Sequence, residues 1–203
     1  MSKHYSFVAN QRMALKRTTL PLIIALFCMS TLHAQLGVKG GINVSSWRGE
    51  STSNSSSKLG YYGGVFYNLP ITEMISIQPE VVYSSEGAKS KDGSTIKYTT
   101  NFINLTPLIR YNSGGFFGGT GPQIGILTSA KLEYQGDKTD VKDLFKSTNF
   151  SWAFAVGYEL ESGLGAYARY NLGLSNFSGV DGAELKTSAF HVGLRYRFNN
   201  GEK

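Results

Sequence analysis

Apolar and polar residues alternate along most of the chain after residue 34. In the stretch ISIQPEVVYS, residues 75–84, Ile75, Ile77 and Val81 share one face, whereas Gln78 and Glu80 share the other. Side chains of a β-strand point to opposite faces in turn, so this pattern indicates a strand between an apolar and a polar environment. The same alternation predicts eight strands, at about 36–47, 59–69, 75–85, 98–111, 116–130, 149–160, 164–175 and 187–198.

The predicted strands are long, and their connections alternate in length. Each has about ten or more residues, against a usual five or six, which is enough to cross a bilayer at a tilt. Short turns at 70–74, 112–115 and 161–163 alternate with long polar segments at 48–58, 86–97, 131–148 and 176–186. This layout predicts an all-β protein, an eight-stranded antiparallel up-and-down transmembrane β-barrel with both termini in the periplasm and the long loops outside.

The distribution of charge indicates which face of the strands meets lipid. Of five arginines after residue 34, four lie in predicted strands, whereas Lys39 alone among eleven lysines lies well inside one. Arginine suits an enclosed ion-pair network because its planar group makes several directed hydrogen bonds, and lysine prefers full hydration. The polar face is therefore predicted to be the barrel interior. Outward aromatic residues, among them Trp47 and Tyr83, are expected near the membrane interfaces.

A polar network is predicted to fill this interior. Glu80 is expected beside Arg110, and Glu159 beside the remaining strand arginines, because unpaired buried charges are costly. An eight-stranded barrel is filled by side chains, which favours a structural plug, with a translocation path as the alternative. The predicted members are Gln78, Glu80, Asn104, Arg110, Gln123, Glu159, Arg169, His191, Arg195 and Arg197.

The first 34 residues have the order of a secretory signal. Lys16 and Arg17 precede an apolar core at 20–27, and small or polar residues then lead to Ala34. We expect removal of residues 1–34, with cleavage between Ala34 and Gln35, and a barrel domain over 35–203. Acylation of Cys28, the single cysteine, is the anchoring alternative. Translation beginning at Met13 instead of Met1 also stays open.

Composition narrows the function classes. With 24 glycines and 13% aromatic residues, the 203-residue chain suits one all-β domain. Four of its 20 Lys and Arg residues precede Gln35, which leaves 16 against 14 Asp and Glu residues, a net charge of +2. That balance gives no support for a nucleic-acid partner.

Four segments resemble successive signatures of the PorT-like outer-membrane β-barrel family of Gram-negative bacteria. They are ISIQPEVVYSSEGAK, NFINLTPLIRYN, GGTGPQIGILTSAK and ARYNLGLSN, and the resemblance covers about residues 35–198. It implies an integral outer-membrane barrel in contact with lipid. The member that gives the family its name is associated with a protein secretion and gliding apparatus. The terminal strand ending at Phe198 resembles the signal recognised by the barrel assembly machinery, which is therefore an expected partner.

No catalytic or metal-binding pattern stands out. His191 could join Ser151 or Ser188 in a hydrolase, but no nucleophile motif surrounds either serine. Three acids in GDKTDVKDLFK, residues 136–146, lack the glycine and terminal glutamate of a calcium loop. No enzyme activity, cofactor or metal is expected.

The remaining function classes are non-catalytic. We expect a structural role or binding of an extracellular partner by the loops. The alternatives are a narrow, porin-like pore, a component of a secretion apparatus, and a soluble ligand-binding barrel.

Overall fold

The computed structural model describes residues 35–49, 55–90, 96–180, 182 and 184–198. The predicted signal segment, with its cleavage residue Ala34, lies outside the described residues. The strands are β1 (Gln35–Arg48), β2 (Ser55–Pro70), β3 (Ile75–Ser90), β4 (Lys97–Ser113), β5 (Phe116–Tyr134), β6 (Asp137–Asp140), β7 (Thr148–Glu159), β8 (Leu164–Gly173) and β9 (Lys186–Arg197), with a 3-10 turn at Lys142–Leu144.

Eight of these strands form one closed antiparallel barrel, as predicted. Neighbours in the sequence pair with each other, β4 with β5 and β5 with β7, and β1 pairs with β9 to close the sheet, for example at Asn43↔His191. β6 folds back on the end of β5 as a short hairpin. One end of the barrel, here called the turn-side end, contains Gln35, Phe198 and the turns at 71–74, 114–115 and 160–163. The opposite end is the loop-side end.

The outer wall of the barrel is apolar. Large apolar side chains on every barrel strand are between 36% and 67% exposed, including Ile77, Ile109, Phe154 and Val192. Monomeric soluble proteins rarely expose such a large continuous apolar surface, so the wall is the lipid-facing side. We call this surface the apolar band. In the described part of the chain, no helix is long and apolar enough to span a membrane.

Small residues let the interior hold large side chains. At Gly37 an added Cβ would lie 2.2 Å from Cζ of Phe66, so the aromatic ring occupies the space above that glycine. One buried cluster of large side chains in the interior consists of Tyr62, Val82, Phe117 and Tyr167. The interior is therefore packed with side chains, as the small diameter of an eight-stranded barrel requires.

Two predictions about the loop-side end are wrong. The strands run further than expected, since β2 begins at Ser55, β3 continues to Ser90 and β5 to Tyr134. Above the apolar band the outward residues of these strands, such as Lys89, Lys131 and Glu133, are polar, so the apolar outer face that reveals a membrane strand is lost. Trp47 also lies on the inward side of β1, where its ring packs 5.1 Å from Tyr98, and it does not join a lipid-facing girdle.

The lipid-facing wall predicts a depth-dependent cost for charge. Val192 lies near the middle of the apolar band, between Ile42 on β1 and Ala168 on β8. Val192→Arg should destabilise the barrel by about 2–4 kcal/mol, whereas Thr148→Arg, at the loop-side start of β7, should cost about 0–1 kcal/mol. Urea titration of folding into lipid vesicles measures both. Equal costs at the two depths would contradict the lipid-facing assignment.

Candidate functional site

The ten polar residues singled out from the sequence lie on the inner wall of the barrel. Gln78 and Glu80 are on β3, Asn104 and Arg110 on β4, Gln123 on β5, Glu159 on β7, Arg169 on β8, and His191, Arg195 and Arg197 on β9. Eight of them are at most 5% exposed. The side chains of Glu159 and Arg197 are 10% and 21% exposed, so they lie nearest the turn-side opening.

Glu80 is the centre of the interior network. Its Oε2 accepts a hydrogen bond from Nζ of Lys39 at 2.8 Å and a second from the guanidinium of Arg169. Its Oε1 accepts one from Nε2 of Gln78 at 2.6 Å. One buried carboxylate therefore pairs with cations from two other strands. Lys39 thus belongs to the network, although it is not among the ten members predicted from the sequence.

Arg169 uses its whole guanidinium group to join four strands. Besides Glu80, its Nε donates to Oδ1 of Asn171 at 2.7 Å, and its Nη2 donates to Thr106 at 2.9 Å and to Oε1 of Gln123 at 2.7 Å. Such a planar set of donors fixes a side chain in one position more firmly than a single ammonium does. The middle of the interior is consequently a rigid polar layer.

A second cluster surrounds Glu159 near the turn-side end. Its carboxylate lies 3.0 Å from Nε of Arg195, 2.7 Å from Nε of Arg197 and 3.9 Å from Nη2 of Arg110. Oε1 of Gln78 accepts hydrogen bonds from Arg110 at 2.7 Å and from Arg195 at 2.8 Å. Gln78 therefore connects this cluster to Glu80.

The partners of the two carboxylates differ from those expected from the sequence. Arg110 was expected beside Glu80 but lies with Glu159, and Arg169 was expected beside Glu159 but binds Glu80. The strand register explains the exchange. Arg169 pairs with Ala155, which lies four residues towards the loop side of Glu159, and Arg110 pairs with Ser76, nearer the turn side than Glu80.

Aromatic rings fill the space beside the cations. The Arg110 guanidinium carbon lies 4.0 Å from the ring centre of Phe117, and that of Arg195 lies 4.0 Å from Phe66. Nζ of Lys39 lies 4.8 Å from the ring centre of Tyr167. Cation–π attraction adds to the ion pairs, and the rings leave less room for water between them.

Aromatic residues also close the loop-side end. Phe177 is fully buried, with ring centres 5.3 Å from Phe102 and 5.1 Å from Phe145. Backbone bonds hold its segment in place, from Phe177 N to Leu185 O at 2.7 Å and from Lys146 N to Phe177 O at 3.0 Å. We call Phe102, Phe145 and Phe177 the aromatic cap. The sequence does not indicate this cap, because 131–148 and 176–186 have the polar composition of solvated loops.

His191 has partners within the interior. Its Nε2 lies 3.2 Å from Nδ2 of Asn171, and its ring packs 4.7 Å from that of Tyr62. Ser151 accepts a hydrogen bond from Gln123, and Ser188 accepts one from Arg48. The structure thus does not bring His191 together with either serine. Among the described residues, no three His, Cys, Asp or Glu side chains converge as metal ligands would.

A closed antiparallel barrel with an apolar outer wall and a polar, filled interior defines the class of integral outer-membrane β-barrel proteins. The chain belongs to the outer membrane protein beta-barrel domain family, whose model matches residues 16–179. No curated protein matches the chain significantly in sequence.

Several solved structures have a similar fold. The Neisserial surface protein A (NspA) is 14% identical, with a TM-score of 0.56 over 81% of this chain and 99% of that chain. Ail, the attachment invasion locus protein of Yersinia pestis, is 15% identical, with a TM-score of 0.48 over 82% of this chain and 100% of that chain. OprG from Pseudomonas aeruginosa is 12% identical, with a TM-score of 0.41 over 82% and 96%. At this identity, the likeness to NspA shows a shared barrel fold.

The central carboxylate predicts a large effect of a small substitution. Glu80→Gln keeps the size of the side chain but leaves Lys39 and Arg169 without their buried anion, so it should destabilise the barrel by about 3–5 kcal/mol. Urea titration in vesicles measures the change. Adding Lys39→Met should recover part of the loss, because it removes one of the uncompensated cations.

Glu184→Gln serves as the control. Glu184 pairs at 2.8 Å with Lys186 at an exposed position, and exposed pairs contribute little to stability. We expect no measurable change for this variant. An equally mild effect at Glu80 would mean that the interior network does not hold the barrel together.

Proposed function

We propose that the protein is a sealed outer-membrane barrel that acts through its loop-side surface, either stabilising the envelope or binding a partner, and that it performs no catalysis. The observation that carries this proposal is the closed interior. Glu80 and Glu159 tie the basic side chains together, and Phe177 closes the loop-side end. We expect such packing, among the residues that the structure describes, to leave neither a substrate nor a solute an open route.

The proposed orientation puts both termini and the short turns in the periplasm. It is supported by the difference between the two ends, because the turns at 114–115 and 160–163 are tight, whereas β5 and β6 extend as a hairpin on the other side. Outer-membrane barrels have short periplasmic turns and longer extracellular loops. The loop-side hairpin would then be the surface available to an extracellular partner.

The resemblance to the PorT-like family suggests two finer assignments. One is membership of that branch, and the other is recognition of the β9 strand, ending beside Phe198, by the barrel assembly machinery. Phe198 supports the second assignment, because its N–H binds the carbonyl of Leu36 at 2.8 Å and its exposed ring lies at the barrel edge.

A narrow pore is the second candidate function, and one observation favours it. Five basic side chains line the interior, Lys39, Arg110, Arg169, Arg195 and Arg197, against the three carboxylates of Glu80, Glu86 and Glu159. An excess of positive charge would select anions if water could pass. A pore of this kind could also serve a secretion apparatus.

Conductance separates the two candidates. Because the aromatic cap and the ion pairs fill the interior, the purified barrel in planar bilayers should give no reproducible current steps. Phe177→Gly, which opens the cap but keeps the ion pairs, should also stay closed. Reproducible anion-selective steps that change in Arg169→Gln would instead support the pore.

Surface labelling tests localisation and orientation together. Cys28, in the predicted signal segment, is the only cysteine in the sequence, so single cysteines introduced later report their own position. In intact cells, a membrane-impermeant maleimide should label Thr139→Cys on β6 and should not label Ser162→Cys in the 160–163 turn. Both should be labelled after the outer membrane is permeabilised. The reverse pattern would invert the proposed orientation.

A further inference from the structure

The outer wall carries a basic cleft at the loop-side edge of the apolar band. It has a volume of about 310 Å³ and faces sideways from the barrel. We call it the lysine cleft. Its principal lining residues are Lys58, Lys97, Lys131, Lys138, Glu133 and Tyr61.

A break in strand pairing creates the cleft. The paired register of β2 and β3 is interrupted between Ser57 and Tyr62, so the two strands are irregular at this height. Gly60, which has no side chain, and Ser85, which has a small one, lie on the floor of the cleft. Small residues on the floor leave a depression between the larger residues on either side.

Positive charge in the cleft exceeds negative charge. Lys58 is only 3% exposed, and its Nζ donates to the Glu86 carbonyl oxygen at 3.2 Å, which leaves its charge without a bonded carboxylate there. Nζ of Lys97 lies 3.8 Å from Oε2 of Glu133, a loose ion pair.

The β5–β6 hairpin supplies the other two cations. Lys138 pairs with Glu133 in its ladder, and Lys131 pairs with Asp140. Counting Asp140 as well as Glu133, the four lysines still exceed the carboxylates by two. The cleft therefore has surplus ammonium groups.

The cleft begins where the apolar band ends. Along β4 the outward residues change from Ile103 to Asn101 and then Thr99, as the strand approaches the loop-side end. Tyr61 and Tyr83, with ring centres 6.3 Å apart, mark this boundary on the neighbouring strands. Tyrosine is enriched at the level of lipid headgroups, so the lysines lie where headgroups meet the protein.

We propose that the lysine cleft binds a phosphate group in the headgroup of an outer-leaflet lipid, whose acyl chains lie along the apolar band below Tyr61 and Tyr83. The inference rests on the proposed orientation, since that orientation puts the loop-side end in the outer leaflet. A lipid fits better than an acidic protein, because the cleft opens into the membrane plane and continues into the apolar band. Lysines near a membrane surface attract anionic headgroups, and their long stems can lie along apolar surface.

The test uses the full barrel in phosphatidylcholine nanodiscs with added bisphosphorylated lipid A. Native mass spectrometry counts the lipid A molecules retained as their proportion is varied. The wild type should retain one in preference, and Lys97→Gln with Lys131→Gln should weaken retention about tenfold or more. Lipid A stripped of its phosphates should bind the wild type as weakly as it binds the double variant.

A matched double variant controls for charge. Lys142→Gln with Lys146→Gln removes two exposed lysines from the same end of the barrel but outside the cleft lining, and it should bind as the wild type does. Equal losses in the two double variants would overturn the site. Complete displacement of lipid A by millimolar inorganic phosphate would also overturn the proposal, because the cleft would then be a site for free anions.

Binding in nanodiscs does not depend on orientation in the cell. If the wild type shows no preference for lipid A, while Thr139→Cys is labelled at the cell surface as expected, this inference alone is overturned. A preference that persists with inverted labelling would refute the proposed orientation and, with it, the outer-leaflet assignment.

Discussion

The structure depends on the pairing of backbone hydrogen-bonding groups in a medium without water. Lipid offers no partner to an N–H or C=O group, so the sheet has to close, and the β1–β9 ladder closes it. The ladder between β4 and β5 is interrupted at two prolines. Pro107 and Pro122 face each other across β4 and β5, as follows when the register of the Leu105↔Ile124 pair is continued along the strands. Neither proline has an N–H to donate. Paired residues on both sides hold the two strands together, and the proline rings add apolar surface to the outer wall.

Closure with eight strands then determines what the interior can contain. The space is too narrow for an aqueous channel, so inward side chains have to fill it and satisfy one another. Glu80 and Glu159 each collect cations from several strands, which makes the network a set of cross-links between distant parts of the sheet. Arginine predominates because one guanidinium can bind a carboxylate and neighbouring amides together, as Arg169 does. Stability and the filled interior therefore have the same cause.

Much of this could be predicted from the sequence, because a strand in a bilayer has to alternate between lipid and interior. The alternation gave the eight strands, and the separation of arginine from lysine indicated the polar interior. It could not give the ion-pair partners, since the pairing of Arg169 with Glu80 follows from the register between strands. Nor could it give β6 or the aromatic cap, because beyond the apolar band neither face of a segment meets lipid. The place of Lys39 in the interior could have been predicted, because Lys39 lies on the same face of β1 as Asn43.

The two ends of the barrel differ, and the difference limits where a partner can act. At the turn-side end Arg197 and Glu159 keep some exposure, so ions from that side can reach the second cluster. At the loop-side end Phe177 is fully buried under its own segment, which separates the interior from whatever lies outside. A molecule approaching the loop side therefore meets the β5–β6 hairpin and the lysine cleft, not the buried arginines. Under the proposed function, recognition on that side would use the rim, where the cations of the cleft are lysines, which prefer hydration.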